Sequence, residues 1–115
     1  SDEILGTFWP RLVDRMFQDV SDQGAELVFV YLPAFREVAE RSEHVARNAE
    51  VLKARVFEPL EERGVALIDA EQIFLQQPDP ASLFPFRIDG HYTEEGYGLI
   101  ADAILSYLAE AKVAR

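Results

Sequence analysis

The sequence predicts an α/β fold, and three observations carry the prediction. Two short continuous apolar runs, Leu27-Val28-Phe29-Val30-Tyr31-Leu32 and Val65-Ala66-Leu67-Ile68-Asp69, lack the polar alternation of a half-exposed strand. Runs of this kind suit strands buried on both faces, as in a parallel sheet. Each is preceded by a stretch of helical character, and parallel strands need such crossovers.

The elements follow in order. Phe8, Leu12, Met16 and Val20 recur every four residues, flanked by Trp9, Val13 and Phe17, and form an apolar helical stripe. Pro10 is tolerated in a first turn, so this helix is expected to start between Thr7 and Pro10. Gly24 is its natural stop. The first apolar run is ended by Pro33. Residues 35–63 are rich in Ala, Glu, Arg and Val without a glycine. They read as helix, a short piece and then a long one, with a kink or reset expected at Pro59 and an end at Gly64. After the second apolar run, residues 76–88 hold Pro78, Pro80 and Pro85 and read as a loop. Thr93 is an N-cap candidate, with Glu94 and Glu95 in a first turn favoured by the helix dipole. Tyr97, Ile100, Ala101, Ile104 and Leu108 mark one face of the final helix.

Composition narrows the function classes. Twenty-one acidic residues against eleven basic ones give a formal net charge of -10. Such a surface repels phosphate backbones and anionic headgroups, which argues against nucleic-acid and membrane-surface partners. There is no cysteine, hence no disulfide and no thiolate site. No apolar run approaches the roughly 20 residues of a membrane span. The start, Ser1-Asp2-Glu3, is acidic where a signal peptide is basic. Met16 is the only methionine, so a processed chain or a fragment is expected. Nothing fixes the compartment.

The stretch that carries chemistry is Ile88-Asp89-Gly90-His91-Tyr92-Thr93-Glu94-Glu95-Gly96-Tyr97. An Asp and a His lie at the end of a loop, directly before a capped helix. In a hydrolytic triad the carboxylate orients the imidazole through Nδ1, which leaves Nε2 to take a proton from a nucleophile. Asp-Gly is also a common turn dipeptide, and a local turn is the plainer reading of Asp89 and His91 taken alone. A metal reading, Asp89 and His91 with Glu94 or Glu95, has one His and no Cys to offer. His44, between Glu43 and Val45, reads as a solvated surface residue. Phe8, Trp9 and Phe17 read as core or interface. Phe84, Phe86 and Tyr92 surround the pair and serve either loop packing or a substrate-facing wall. Asp69, at a strand's C-terminal end, is a cleft or N-cap candidate. Arg87 is a partner for Asp89 or for the acidic surface.

In its ordered set the chain resembles the C-terminal half of SGNH/GDSL hydrolases. A helix, a strand closed by Pro33, a long helix, a Gly64-led strand ending at Asp69, a loop, Asp89-x-His91 and a last helix are similar to that family's later blocks. Asp-x-His followed by Thr and a Gly looks like the branch of bacterial carbohydrate O-acetyl esterases and O-acetyltransferases. The resemblance implies a partial flavodoxin-like, three-layer fold with two parallel strands and three to four helices. Residues 1–115 would be a single domain or fragment equivalent to the C-terminal half. It also implies that Asp89 and His91 are catalytic.

The family's Gly-Asp-Ser nucleophile block is absent. Ser1, Ser21, Ser42, Ser82 and Ser106 lack an elbow-like setting, and Asn48, the only Asn, falls inside a helical stretch. The expectation is therefore a chain that supplies the Asp–His pair of a serine ester hydrolase or O-acyl transferase. Its substrate is a small acyl ester, expected on a carbohydrate, and the nucleophilic Ser is outside the chain. No cofactor or metal is required, and the chain alone is expected to be inactive. Two strands are too few for a stable sheet. A missing N-terminal half or a second copy, as a homo-oligomer, is expected to cover them. The alternative is a non-catalytic α/β module for self-association or binding.

Overall fold

A computed structural model describes residues 2–114. The protein is mixed α/β and mostly helical, with two parallel strands. A π-helical turn, Ile4–Phe8, leads into α1 (Trp9–Asp22); then come β1 (Val28–Tyr31), α2 (Phe35–Ala39), α3 (Glu43–Glu62), β2 (Ala66–Asp69) and α4 (Ala70–Leu75). Two 3₁₀ turns, Pro80–Leu83 and Pro85–Arg87, precede α5 (Glu94–Ala114). The alternation expected from the sequence is present. The helices number five rather than three or four, because α4 is only six residues long and too short to show a period.

The chain divides into two compact units, one formed by residues up to Val30 with Ala46–Leu67, the other by Tyr31–Val45 with Ile68 onward. In the first unit, Val13, Leu60 and Val65 form the buried core, with Trp9, Met16, Phe17, Phe29 and Phe57 packed against it. Trp9 Nε1 donates to the Val56 carbonyl at 2.8 Å, so the indole buries without an orphaned donor. The buried edge of α1 is therefore Trp9–Val13–Phe17. Of the stripe read from the sequence, Phe8 and Leu12 are exposed, whereas Met16 packs against the core.

Helical backbone begins ahead of Thr7. The Trp9 amide donates to the Ile4 carbonyl, five residues back. This wider turn gives room to the Pro10 ring, which would otherwise crowd a carbonyl one turn earlier. Pro59 does not reset α3: the helix runs through it with the ring buried. Both long helices end in the same way. Gly24 and Gly64 take left-handed φ of 73° and 68°. The amides that follow, Ala25 and Val65, bond the Val20 and Leu60 carbonyls at 3.1 and 3.0 Å. That is a Schellman closure, and Val65 and Leu60 share the core it seals.

In the second unit the interior is aromatic. Phe84 stands edge-on to Phe35, Phe74 and Tyr92 at centroid distances of 5.1, 6.1 and 5.4 Å. Phe74 and Phe84 are wholly buried. Asp69 caps α4, accepting from the Glu71 and Gln72 amides at 3.1 and 3.4 Å. Helix α5 buries Gly96 and Ile100. Tyr97 and Leu108, expected on that face, are half exposed, as is Leu105.

Candidate active site

The segment that holds Asp89 and His91 is fastened on both sides. Upstream, Arg87 Nη1 and Nη2 bind Asp79 Oδ2 and Oδ1 at 2.6 and 3.1 Å, a bidentate pair that fixes the 3₁₀ turn. Arg87 thus pairs with Asp79 rather than with Asp89, and the guanidinium holds the Asp79 carboxyl below its usual range. Downstream, Thr93 Oγ1 accepts from the Gly96 amide at 3.1 Å and caps α5 as its sequence position required. The Thr93 amide donates to the Leu83 carbonyl at 2.8 Å.

Tyr92, next to His91, is the central fastening. Its ring stacks edge-on with Phe74, Phe84 and Tyr97 at 5.1, 5.4 and 5.3 Å. Its hydroxyl donates to the Pro33 carbonyl at 2.6 Å. Burial, then the neighbouring Tyr97 and Glu37, pushes its phenol up to about 12. Pro33 lies two residues beyond β1, so the neighbour of His91 is tied to the segment that leaves the C-terminal end of that strand. The close approach of α5 depends on Gly96: a Cβ there would lie 3.0 Å from Tyr92 Cβ and 3.1 Å from the Leu83 carbonyl oxygen.

Asp89 and His91 themselves are exposed. Among the described residues no hydrogen bond or ion pair joins them, and none joins His91 to a serine. The two side chains are presented together on one anchored loop but are not paired. Phe84 belongs to the buried packing and Tyr92 to the anchor. Phe86 is 93% exposed. Phe86 and Arg87 both take φ of 56°, a left-handed conformation that costs about 1–3 kcal/mol per non-glycine residue.

Sequence reasoning did not single out Tyr31. At the end of β1 its hydroxyl donates to Glu37 Oε2 at 3.1 Å. Burial, then the charges of Glu37, Glu71 and Asp69, raises its phenol well above the ordinary value. Arg41 bonds the Glu37 carbonyl at 3.0 Å and lies 3.5 Å from Oε1 of the fully buried Glu71. A tyrosine closing a strand just before a proline was the available signal. Here it marks a polar network that braces the strand end, and Asp69 serves as a cap rather than as a cleft ligand. His44 is exposed on α3.

Among the described residues no group of three or more His, Asp or Glu is gathered to hold a metal ion, and no helix is long and apolar enough to cross a membrane. A pocket of about 300 Å³ in the first unit, lined by Leu5, Gly6, Pro10, Arg55, Pro59 and Glu62 among others, includes neither Asp89 nor His91. Comparison with protein families, with curated proteins and with solved structures gave no match to this chain.

Proposed function

We propose that the chain supplies the general base and its orienting carboxylate to a serine ester hydrolase or O-acyl transferase of SGNH/GDSL type, acting on an acyl ester of a carbohydrate. The observation that carries the reading is the Tyr92–Pro33 hydrogen bond. It ties the residue beside His91 to the C-terminal end of a parallel strand, where α/β folds build their sites. His91 Nε2 takes the proton of an incoming serine hydroxyl as that oxygen attacks the ester carbonyl, then returns it to the leaving alcohol. Asp89 orients the ring through Nδ1 and stabilises the imidazolium.

The pair closes when the serine-bearing segment covers the loop, since catalytic hydrogen bonds often tighten only in the assembled site. That segment also provides the oxyanion donors. In this reading the two strands form part of a larger flavodoxin-like, three-layer sheet, and the half-exposed residues of β1 support it. The segment lies elsewhere in the same polypeptide or on a partner chain.

The test is ester turnover by the full-length product of the gene that encodes the chain. Acetyl-ester hydrolysis should fall by about six orders of magnitude in His91→Ala, and by about four in Asp89→Asn. Turnover that His91→Ala leaves untouched refutes the proposal.

One observation favours the other reading, a binding module without catalysis. Asp89 and His91 are unpaired among the described residues, while Tyr97, Leu105 and Leu108 leave apolar surface open on α5. In that case the full-length product shows no esterase activity, and changes on α5 weaken association.

A further inference from the structure

Arg87 is the only lysine or arginine between Arg63 and Lys112, and two carboxylates stand within its reach. Asp89 is two residues ahead, so its Cα lies at most about 7 Å away, a gap that an arginine side chain spans. Asp79 is eight residues back. Nearness in sequence favours Asp89, yet Arg87 Nη1 and Nη2 both go to Asp79, at 2.6 and 3.1 Å. Asp89 is exposed and unpaired among the described residues. The backbone makes this choice. Phe86 and Arg87 both take φ of 56°, where residues with a Cβ are rare, and this bend sends the guanidinium back to Asp79. Such strain persists only where the surroundings over-determine it. Here the bidentate pair holds it from one side and the Thr93–Leu83 hydrogen bond from the other.

We infer that Asp79 is a positioning residue: by holding Arg87 it keeps the guanidinium off Asp89 and leaves that carboxylate free to orient His91. This rests on the ester-hydrolase reading for what the Asp89–His91 pair does. An arginine bound to Asp89 would occupy the oxygens that must accept from Nδ1. It would also set a permanent positive charge beside an imidazole that has to become positive itself. Both effects weaken a general base. Capping does not account for Asp79. It stands at the N-cap of the Pro80–Leu83 turn, but its side chain makes no cap hydrogen bond there, unlike Asp69 on α4 and Thr93 on α5. Stability does not account for it either, because an exposed ion pair contributes less than two left-handed residues cost.

The experiment follows the His91 ring protons by NMR through a pH titration of the 115-residue chain, with the signals assigned by comparison with His44→Gln. Asp79→Asn should shift the His91 titration to lower pH, because the freed Arg87 takes Asp89. Adding Arg87→Ala to Asp79→Asn should return it to the parent position or above, since no cation is left to compete. The double variant lacks the Asp79 charge as well, so this return separates release of Arg87 from the direct field of Asp79. Asp79→Glu keeps a carboxylate for Arg87 and should titrate with the parent. In an Asp89→Asn background, Asp79→Asn should shift the titration less. An Asp79→Asn variant that titrates with the parent would overturn the inference. So would a shift that Arg87→Ala fails to reverse, or one that Arg87→Ala alone reproduces, because the pair would then only brace the turn. Failure of the esterase reading appears in a different readout, the turnover of His91→Ala in the full-length product, and leaves these titrations unchanged.

Discussion

The Tyr92 hydroxyl and the Pro33 carbonyl, 59 residues apart in sequence, meet at 2.6 Å, and this bond joins the loop of His91 to the end of β1. Its strength depends on the phenol staying protonated. Because folding raises the phenol to about 12 from an ordinary value near 10, the sign is fixed. The stabilisation is complete below the ordinary value and is lost as pH rises through about 12. In a spectrophotometric alkaline titration, Tyr31 and Tyr92 should ionise late, and Tyr92→Phe should remove one of the late steps. The same substitution should cost about 0.5–1.5 kcal/mol in denaturant unfolding at neutral pH. A Tyr92 that ionises at the ordinary phenol value of about 10 would show that the ring does not stay buried in solution.

Gly96 and Gly98 lie two residues apart in the first turns of α5 and should respond oppositely to the same change. A Cβ on Gly96 meets Tyr92 Cβ and the Leu83 carbonyl oxygen at 3.0 and 3.1 Å, whereas one on Gly98 meets nothing within 4 Å. Gly96→Ala should therefore destabilise by about 1–3 kcal/mol by pushing α5 from the loop. Gly98→Ala should stabilise by about 0.5–1 kcal/mol through helix propensity. Chemical denaturation of both variants checks the pair.

The parts of the fold legible in the sequence were those set by local chemistry. Gly24 and Gly64 marked helix ends because the closing turn needs a left-handed residue, and Thr93 marked a cap because its hydroxyl satisfies an orphan amide. Which edge of α1 is buried was not legible. Phe8 and Trp9, Leu12 and Val13, Met16 and Phe17 form one wide apolar band, and only tertiary contacts, with Val56, Leu60 and Val65, choose between its edges. The aromatic cluster of Phe35, Phe74, Phe84 and Tyr92 joins residues that no local pattern relates. At the site, the Asp89-Gly90-His91 spacing predicted a carboxylate oxygen of Asp89 near Nδ1 of His91, at about hydrogen-bond range. The structure puts both residues on one exposed loop without that bond, because side-chain direction on an exposed loop depends on what covers it.

Open apolar surface predicts association. Tyr97, Leu105 and Leu108 are each about half or more exposed on α5, at spacings that bring them to one stripe. Light scattering coupled to size exclusion should show the isolated chain self-associating. Added salt should favour this by screening the net charge of -10. Replacing Leu105 and Leu108 together by Glu should shift the population toward monomer without loss of helix content. A stable monomer at low and high salt alike would show that the α5 face needs no cover.

The isolated chain should not turn over p-nitrophenyl acetate. Ester cleavage at neutral pH through this chemistry needs a nucleophile activated by the imidazole and donors for the oxyanion, and removing such groups costs orders of magnitude in rate. Ser82 is not available for attack in this arrangement, because its hydroxyl donates to the Asp79 carbonyl at 2.6 Å. Ser42 Oγ accepts from the Val45 amide at 3.1 Å at the start of α3. His91 is exposed and without a serine partner among the described residues. Free imidazole catalyses this activated ester slowly, so the rate should match that of an equal concentration of a short His peptide. It should also be unaffected by a serine-directed phosphonate. Saturable turnover that the phosphonate abolishes, and that His91→Ala also abolishes, would mean that one of Ser21, Ser42, Ser82 or Ser106 reaches His91 in solution. The nucleophile would then lie within the chain, and the requirement for a second segment would fall.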